Sequence, residues 1–203
     1  MRDLRQQGSL KLVFPRAHGQ GGKTGIVLNT AGGVTGGDRF DLSAHVETGA
    51  HLVLSTQAAE RAYRAQPGET GRIRNHITIE AGARCDWLPQ ETILYDGSAL
   101  TRRLTVEMAS TSRALLVEPV IFGRAAMGER LRDLRFSDRI DVIRDGTLLF
   151  TDRTSLIGDA EATLQGTATG NGCGAMANVL LAAPDADRFL ASARPLIPAT
   201  GGV

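Results

Sequence analysis

Five carboxylates lie close to turns and could carry chemistry: Asp38, Glu91, Asp96, Glu118 and Glu129. Two carboxylates can act as acid and base in a glycosidase, or as hard oxygen ligands for a divalent cation. Their separation in space decides between these uses, and carboxylates that cap turns or pair with arginines serve neither. Glu118 differs from the others because it follows the apolar run 114–117, so its carboxylate needs a partner if it is buried.

Residues 17–24 end in the Gly-Lys-Thr of a phosphate-binding loop, formed here by Gly22, Lys23 and Thr24. The first glycine of that motif is replaced by Ala17. The motif also requires a helix after the lysine, whose N-terminus points at the phosphate. Residues 25–29 have the pattern of a strand instead. We therefore interpret the segment as a hairpin loop, and a GTPase or ATPase is disfavoured.

Histidine and cysteine spacing predicts no metal site of high affinity. None of the arrangements typical of a zinc site is formed by the histidines, which are His18, His45, His51 and His76. His45 and His51 flank a predicted turn, where a solvated pair is the commoner outcome. The two cysteines, Cys85 and Cys173, are far apart and not in a CxxC pair, which is typical of a reducing compartment.

Composition restricts the classes of protein further. The 203 residues include 23 basic and 22 acidic ones, for a net charge of +1, whereas a nucleic-acid-binding protein needs a surplus of basic charge. The hydrophobic fraction of 42% is enough for the core of one domain covering residues 1–203. No segment approaches the ~20 apolar residues of a membrane span, and no signal peptide is evident, so we expect a cytoplasmic protein.

Short runs of Val, Ile, Leu and Thr that alternate with polar residues predict an all-β fold with a few short helices. The predicted strands are Ser9–Phe14, Gly25–Leu28, Arg39–Val46, Leu52–Ser55, Arg72–Glu80, Arg84–Leu88, Leu100–Met108, Ala114–Pro119, Arg139–Arg144 and Thr147–Thr151. The predicted helical segments are a short turn at Gln57–Arg64, Arg124–Arg130 and Asp185–Ala193. The glycine-rich segment 158–176 is predicted to be a loop or a disordered segment.

A weak internal repeat indicates how the strands are arranged. The sequence at 46–52, a strand end followed by a glycine turn and a second strand, is echoed at 79–85 and more loosely at 108–114. A spacing of about thirty residues is typical of a β-helix-like stack of strands and hairpins, in which each unit covers its apolar face with the next. A simple meander of hairpins would produce the same echoes, so both arrangements stay open.

Four sequence blocks in the same order resemble the UreD (UreH) family of urease accessory proteins. They are 29–39 (NTAGGVTGGDR), 55–64 (STQAAERAYR), 87–97 (WLPQETILYDG) and 118–129 (EPVIFGRAAMGE), and Arg144-Asp145-Gly146 follows at the corresponding place. The resemblance implies a non-enzymatic, β-rich scaffold for delivery of nickel to urease. The implied partners are the urease structural subunits, a helical bridging protein of the UreF type, a GTPase of the UreG type and a second copy within the complex.

The resemblance also implies that nickel(II) passes through the protein transiently and that no cofactor is tightly bound. Scattered carboxylates release nickel more readily than a closed cage of Cys and His ligands. We therefore expect Asp38, Glu91, Glu118 and Glu129 to line a nickel passage, with Asp96 a weaker candidate. A backbone role, in which close approach or positive φ excludes a side chain, is expected for Gly32, Gly33, Gly36 and Gly37.

Family members extend beyond the point where this sequence stops, so a C-terminal part of the family domain is expected to be absent, together with contacts to the helical partner. The main alternative is a solenoid carbohydrate-active enzyme that uses two carboxylates. That alternative requires aromatic platforms for sugars, and the chain has one Trp, two Tyr and six Phe. The accessory role is therefore preferred.

Overall fold

The computed structural model describes residues 3–16 and 22–197, and this part of the chain is mainly β. Its strands are β1 (Leu10–Val13), β2 (Lys23–Asn29), β3 (Arg39–Val46), β4 (His51–Thr56), β5 (Glu60–Ala62), β6 (Gly71–Ile79), β7 (Arg84–Leu88), β8 (Thr92–Leu94), β9 (Ala99–Met108), β10 (Arg113–Phe122), β11 (Leu134–Arg144), β12 (Thr147–Gly158) and β13 (Ala175–Ala182). The short helices are α1 (Ala160–Gln165) and α2 (Leu190–Ala193), and 3₁₀ turns are formed by Ala125–Met127, Ala186–Phe189 and Arg194–Leu196.

The strands wind into a solenoid of two sheets. In the first sheet β2, β4, β7 and β10 are parallel neighbours, and in the second β3, β6, β9 and β11 are parallel neighbours. Each coil therefore contributes one long strand to each sheet, and the short strands β5 and β8 extend the first sheet beside β10. Strands β1, β12 and β13 pair with the stack in antiparallel orientation. In the first sheet β1 pairs with β2 and β13 pairs with β10, and in the second sheet β12 pairs with β11. The predicted stack is confirmed, because a meander of hairpins would have given antiparallel pairs throughout.

The sequence echo corresponds to the turn that links the second sheet to the first in successive coils. Gly49 and Gly82 occupy equivalent turns and both have positive φ, at 69° and 67°. The turns also bond to one another, since the Gly49 amide donates to the Ala81 carbonyl at 3.2 Å and the Arg84 amide to the Ala50 carbonyl at 2.8 Å. The repeat thus reflects stacked turns, in which glycine allows the left-handed conformation without steric cost.

Aliphatic rows between the two sheets form the core. Ile77 of β6, Val106 of β9 and Val142 of β11 are in register in adjacent strands, and all three are completely buried. Each such side chain contributes roughly 1.5–3 kcal/mol through burial of apolar surface. Alternation along each strand directs these residues inward and polar residues outward. Polar residues at inward positions are therefore exceptions to this alternation.

Several predictions from the sequence are corrected by the fold. The helical turn predicted at Gln57–Arg64 is wrong, because Glu60–Ala62 forms β5 and pairs with β8. The predicted loop 158–176 contains α1, which begins where the Asp159 side chain accepts a hydrogen bond from the Ala162 amide at 2.8 Å. Strands β8 and β13 are also additional to those predicted. The helical segment at Asp185–Ala193 is confirmed as a 3₁₀ turn followed by α2.

Candidate functional site

The corner after the short strands brings the sequence blocks together. Val34, Ala62, Leu94 and Phe122 stand in register in successive coils, and each belongs to a different one of the four blocks. Backbone hydrogen bonds continue the stack beyond them, from the Tyr63 amide to the Val34 carbonyl and onward. Blocks separated by about one coil in sequence are therefore neighbours in space.

A surface cleft of about 590 Å³ lies at this corner. The rings of Tyr63 and Tyr95 meet edge to face with centroids 5.1 Å apart, and the guanidinium of Arg124 lies 4.1 Å from the centre of the Tyr95 ring. Arg124 also pairs with Glu129 at 2.8 Å. The full lining, called the corner cleft below, is Tyr63, Arg64, Tyr95, Asp96, Arg124, Glu129 and Arg130.

The two carboxylates of the corner cleft are held in their charged form. A hydrogen bond from Arg124 lowers the pKa of Glu129, against the opposing effect of burial. Burial also opposes ionisation of Asp96, but the Asp133 and Arg132 amides and the Arg64 side chain together keep the Asp96 pKa below its ordinary value. Arg64 lies 2.5 Å from Asp96. The corner cleft is therefore an ordered arrangement of paired charges.

A second set of charges lies inside the solenoid, and we call it the interior charge cluster: Arg102, Glu118 and Asp138. Arg102 of β9 contacts Glu118 of β10 at 2.7 Å and Asp138 of β11 at 2.6 Å. None of the three side chains is more than 5% exposed. The Trp87 indole donates to Glu118 at 2.7 Å, and Arg102 donates to the Thr92 hydroxyl at 3.0 Å. The cluster thus joins both sheets through polar contacts.

Burial governs the electrostatics of this cluster. Desolvation raises the pKa of Glu118, and the attraction of Arg102 and the Trp87 hydrogen bond only partly offset that effect. Desolvation works against the charge of Arg102, but its two carboxylate neighbours hold the Arg102 pKa above its ordinary value. One guanidinium faces two carboxylates, so the cluster has more acidic groups than basic ones. Such a site attracts a cation or a proton.

A small cavity of about 60 Å³ reaches the interior charge cluster. Arg102, Glu118, Trp87 and Glu60 contribute polar atoms to its lining, and residues of β1, β2, β3 and β6 supply most of the rest. Burial raises the pKa of Glu60, which is also hydrogen-bonded by Asn29 at 3.1 Å. The volume exceeds the ~15 Å³ that one water requires, so a small hydrophilic species fits.

The four carboxylates predicted to line a passage are not gathered at one place. Glu118 faces the interior, whereas Glu129 lies in the corner cleft with Asp96. Asp38 accepts a hydrogen bond from the Thr35 amide at 2.8 Å in the glycine turn. The carbonyl of Glu91 accepts from the Glu60 amide at 2.8 Å, and Asp38 contributes to the electrostatics of Glu60. Glu91 therefore adjoins Glu60 through the backbone, and neither Asp38 nor Glu91 is part of the cavity lining.

The glycines of the first block occupy positions where a side chain meets an obstacle. Gly32 and Gly37 have φ of 81° and 83°, in the left-handed region. A Cβ on Gly33 would meet the Tyr63 ring and lie 2.6 Å from the Arg61 carbonyl oxygen. A Cβ on Gly36 would lie 2.6 Å from the Cβ of Glu69.

Sequence reasoning missed Arg102 and Asp138. Both stand at inward positions of alternating strands, as Leu104 and Ile140 do two residues later. The available signal was a polar residue among those alternate positions of a strand that are otherwise apolar and face the core. This signal can be used only when the core-facing set of positions is known, and in β9 both sets of alternate positions contain an arginine.

The remaining chemical candidates fall elsewhere. Lys23 and Thr24 belong to β2, so the interpretation of 17–24 as a hairpin loop is wrong for these two residues. Residues 17–21, His18 among them, lie outside the described residues. His45 pairs with Glu80 at 2.6 Å and His51 with Asp86 at 2.9 Å, so these histidines do not face each other. Across residues 3–16 and 22–197, no three His, Cys, Asp or Glu side chains are grouped to hold a metal ion.

The fold and these sites define the chain as a parallel β-solenoid with a charged interior and a corner cleft assembled from successive coils. The sequence model of one family, described as UreD urease accessory protein, matches residues 1–203. The chain belongs to the UreD family of urease accessory proteins. Membership assigns it a role in urease maturation.

Relatives named urease accessory protein UreD support the same assignment. The Ruegeria pomeroyi protein is 52% identical over 199 residues, covering 98% of this chain and 77% of the relative. The Roseobacter denitrificans protein is 46% identical over 200 residues, covering 98% and 72%. The Azorhizobium caulinodans protein is 43% identical over 195 residues, covering 96% and 71%. The prediction of an accessory protein rather than an enzyme is confirmed. Among the described residues, no helix is long and apolar enough to cross a membrane.

Proposed function

We propose that this chain is the scaffold and conduit of a GTP-dependent complex that delivers nickel to the metallocentre of urease. Glu118 carries the proposal, because it is a carboxylate buried beside a cavity inside the solenoid. Burial raises its pKa despite the contact with Arg102, so the site gains by accepting a cation. Nickel is the cargo, and no tightly bound cofactor takes part.

The chemistry of the interior suits transfer better than storage. Carboxylate oxygens are weaker ligands for nickel than a set of thiolates and imidazoles, so an ion held by Glu118 and Glu60 exchanges readily. Asp38 and Glu91 are proposed to act on the Glu60 side of the route, outside the cavity lining. Glu129 is proposed to act in the corner cleft, outside the interior.

The proposed partners are the urease structural subunits, a UreF-type bridging protein, a UreG-type GTPase and a second copy of this chain, in the cytoplasm. Nucleic acid and membrane are not part of the proposal. The GTPase supplies nucleotide chemistry, which this chain is not proposed to perform because Lys23 and Thr24 lie in a strand. The solenoid in turn offers a rigid path between docked proteins.

The test is co-expression of the chain with apo-urease and its accessory proteins, followed by affinity purification and quantification of nickel in the recovered urease. The variant is Glu118→Gln, which keeps the side-chain shape, and the control is Glu161→Gln on the partly exposed α1. We expect the Glu118 variant to assemble normally and to deliver several-fold less nickel, while the control matches wild type. Normal nickel loading by the Glu118 variant would reject the conduit. Loss of assembly would instead assign Glu118 a structural role.

A combined variant tests the remaining predicted residues. Alanine at Asp38, Glu91, Glu118 and Glu129 removes every proposed carboxylate of the route. We expect the urease recovered with this variant to contain less nickel than with Glu118→Gln alone. Unchanged nickel content relative to the single variant would assign Asp38, Glu91 and Glu129 to turns and surface pairs only.

A further inference from the structure

A row of four arginines runs across four of the five described strands on the outer face of the second sheet, and Asp41 of β3 is the cross-strand partner at the Arg74 end. Arg74 of β6, Arg103 of β9, Arg139 of β11 and Arg153 of β12 are direct cross-strand partners in that order. Neighbouring strands are about 4.8 Å apart, so the row extends over roughly 14 Å. We call these four residues the arginine ladder.

Arginines outnumber acids on this face when the arginine ladder is counted together with its surroundings. On the same outer face, Arg39 and Arg72 are cross-strand partners in the adjacent row, and Arg135 is exposed on β11. The carboxylates at outward positions of these strands are Asp41, Glu107 and Asp141. Since the whole chain has a net charge of only +1, positive charge is concentrated on this face.

The fold itself does not account for this arrangement. Like charges directly opposite each other destabilise a sheet, and alternating signs would be favourable. Asp141 pairs with both Arg103 at 3.0 Å and Arg139 at 2.7 Å, so one buried carboxylate serves two arginines. In the described part of the chain, Arg74 and Arg153 form no ion pair. Both side chains are exposed, and so is most of the face around them.

From these observations we infer that the outer face of the second sheet is a docking surface for an acidic protein helix. A helix rises about 5.4 Å per turn, close to the strand spacing, so carboxylates one turn apart can each meet one arginine of the arginine ladder. Arginine binds carboxylates in a bidentate geometry that suits such a match. The three carboxylates on the face and the balanced net charge disfavour a nucleic acid. The inference does not depend on the nickel route.

The test uses an alanine-based helical peptide with glutamate at every turn, with glutamine in the same positions as its control. Binding to the full chain is followed by fluorescence anisotropy at low and at physiological ionic strength. The variant is Arg74→Glu with Arg153→Glu, which reverses the two unpaired charges. The control variant is Arg5→Glu with Arg188→Glu, which makes the same change of net charge on exposed residues away from the face.

We expect wild type to bind the glutamate peptide more weakly as salt increases, and the Arg74/Arg153 variant to bind at least roughly tenfold more weakly at low salt. The Arg5/Arg188 control should bind like wild type, and circular dichroism should confirm that both variants are folded. An equal loss of peptide binding in the two variants would mean that only the net charge of the chain matters, and it would overturn the inference. Tighter binding of a short duplex DNA than of the peptide would assign the face to nucleic acid, and it would also overturn the inference.

Discussion

The interior charge cluster makes a strong prediction about stability. Replacing Arg102 by Met removes the contacts to Glu118 and Asp138 and leaves two buried carboxylates facing each other without a cation. Breaking a buried ion pair by removing one partner costs roughly 3–5 kcal/mol, because the remaining charge is desolvated and unpaired. Since 1 kcal/mol shifts Tm by about 2–4 °C in a domain of this size, we expect Tm to fall by about 6–20 °C.

The adjacent residue provides a matched control. Arg103 contacts Asp141 at 3.0 Å, but its side chain is 49% exposed, so solvent screens the pair. Asp141 is buried but keeps its contacts with Arg139 and Thr151 when Arg103 is removed, so Arg103→Met leaves no unpaired charge and should change Tm by no more than a few degrees. Both variants would be followed by thermal denaturation and by urea titration. A Tm for Arg102→Met within about 2 °C of wild type would refute the argument that the interior charge cluster is desolvated.

A rescue variant separates lost charge from lost volume. Combining Arg102→Met with Glu118→Leu and Asp138→Leu replaces the cluster by apolar side chains, and such replacements are often neutral or stabilising. The Trp87 indole then loses its acceptor, which costs about 1–3 kcal/mol. We expect the triple variant to be more stable than Arg102→Met alone and to deliver no nickel. Such a result would indicate that the cluster is retained for function.

Three further predictions concern other parts of the fold. Contacts with His45 and then Thr48 lower the pKa of Glu80 from 4.5 to about 2. The Glu80 carboxylate therefore stabilises the fold at pH values above its pKa in the unfolded chain, and this contribution is lost as the pH falls from 4.5 toward 2. Denaturation midpoints across this range should decline more steeply for wild type than for Glu80→Gln. Gly71→Ala should lower the free energy of unfolding by about 1–3 kcal/mol in urea titration, because its Cβ would lie 2.7 Å from the Thr35 carbonyl oxygen. Leu164→Ala should cost about 2–5 kcal/mol, because Leu164 is 7% exposed in a core cluster, and unchanged stability would mean that α1 does not pack there.

The sequence predicted most of the long strands because their alternation is strong and local. Arg39–Val46 and Arg84–Leu88 have the predicted bounds, and the echo at 46–52 and 79–85 corresponds to stacked turns. The three-residue strands β5 and β8 were missed because they exist only through pairing with neighbouring coils. Such short segments have no period of their own, so only the register of the solenoid defines them.

The site was less predictable than the fold, for a related reason. Glu118 attracted notice because it follows an apolar run, and it is buried with a charged partner as that position required. The other members of its cluster, Arg102 and Asp138, lie 16 residues before it and 20 residues after it. Arg102 and Asp138 meet through the parallel register of β9 and β11, which no local pattern reveals. Pairing across coils therefore had to be seen in the structure.

The sequence blocks and the interior charge cluster carry different information about this protein. The register of Ala62, Leu94 and Phe122 places the next residues, Tyr63, Tyr95 and Gly123, in one column at the corner. The blocks are thus spaced by about one coil because each coil turns at the same place. A motif that forms a turn need not take part in chemistry. Arg102 and Asp138 fall outside all four blocks, although Arg102 is the counter-ion of the buried Glu118 and Asp138 shares that guanidinium. A set of variants chosen from the blocks alone would include Glu118 and the corner but would leave Arg102 and Asp138 unexamined.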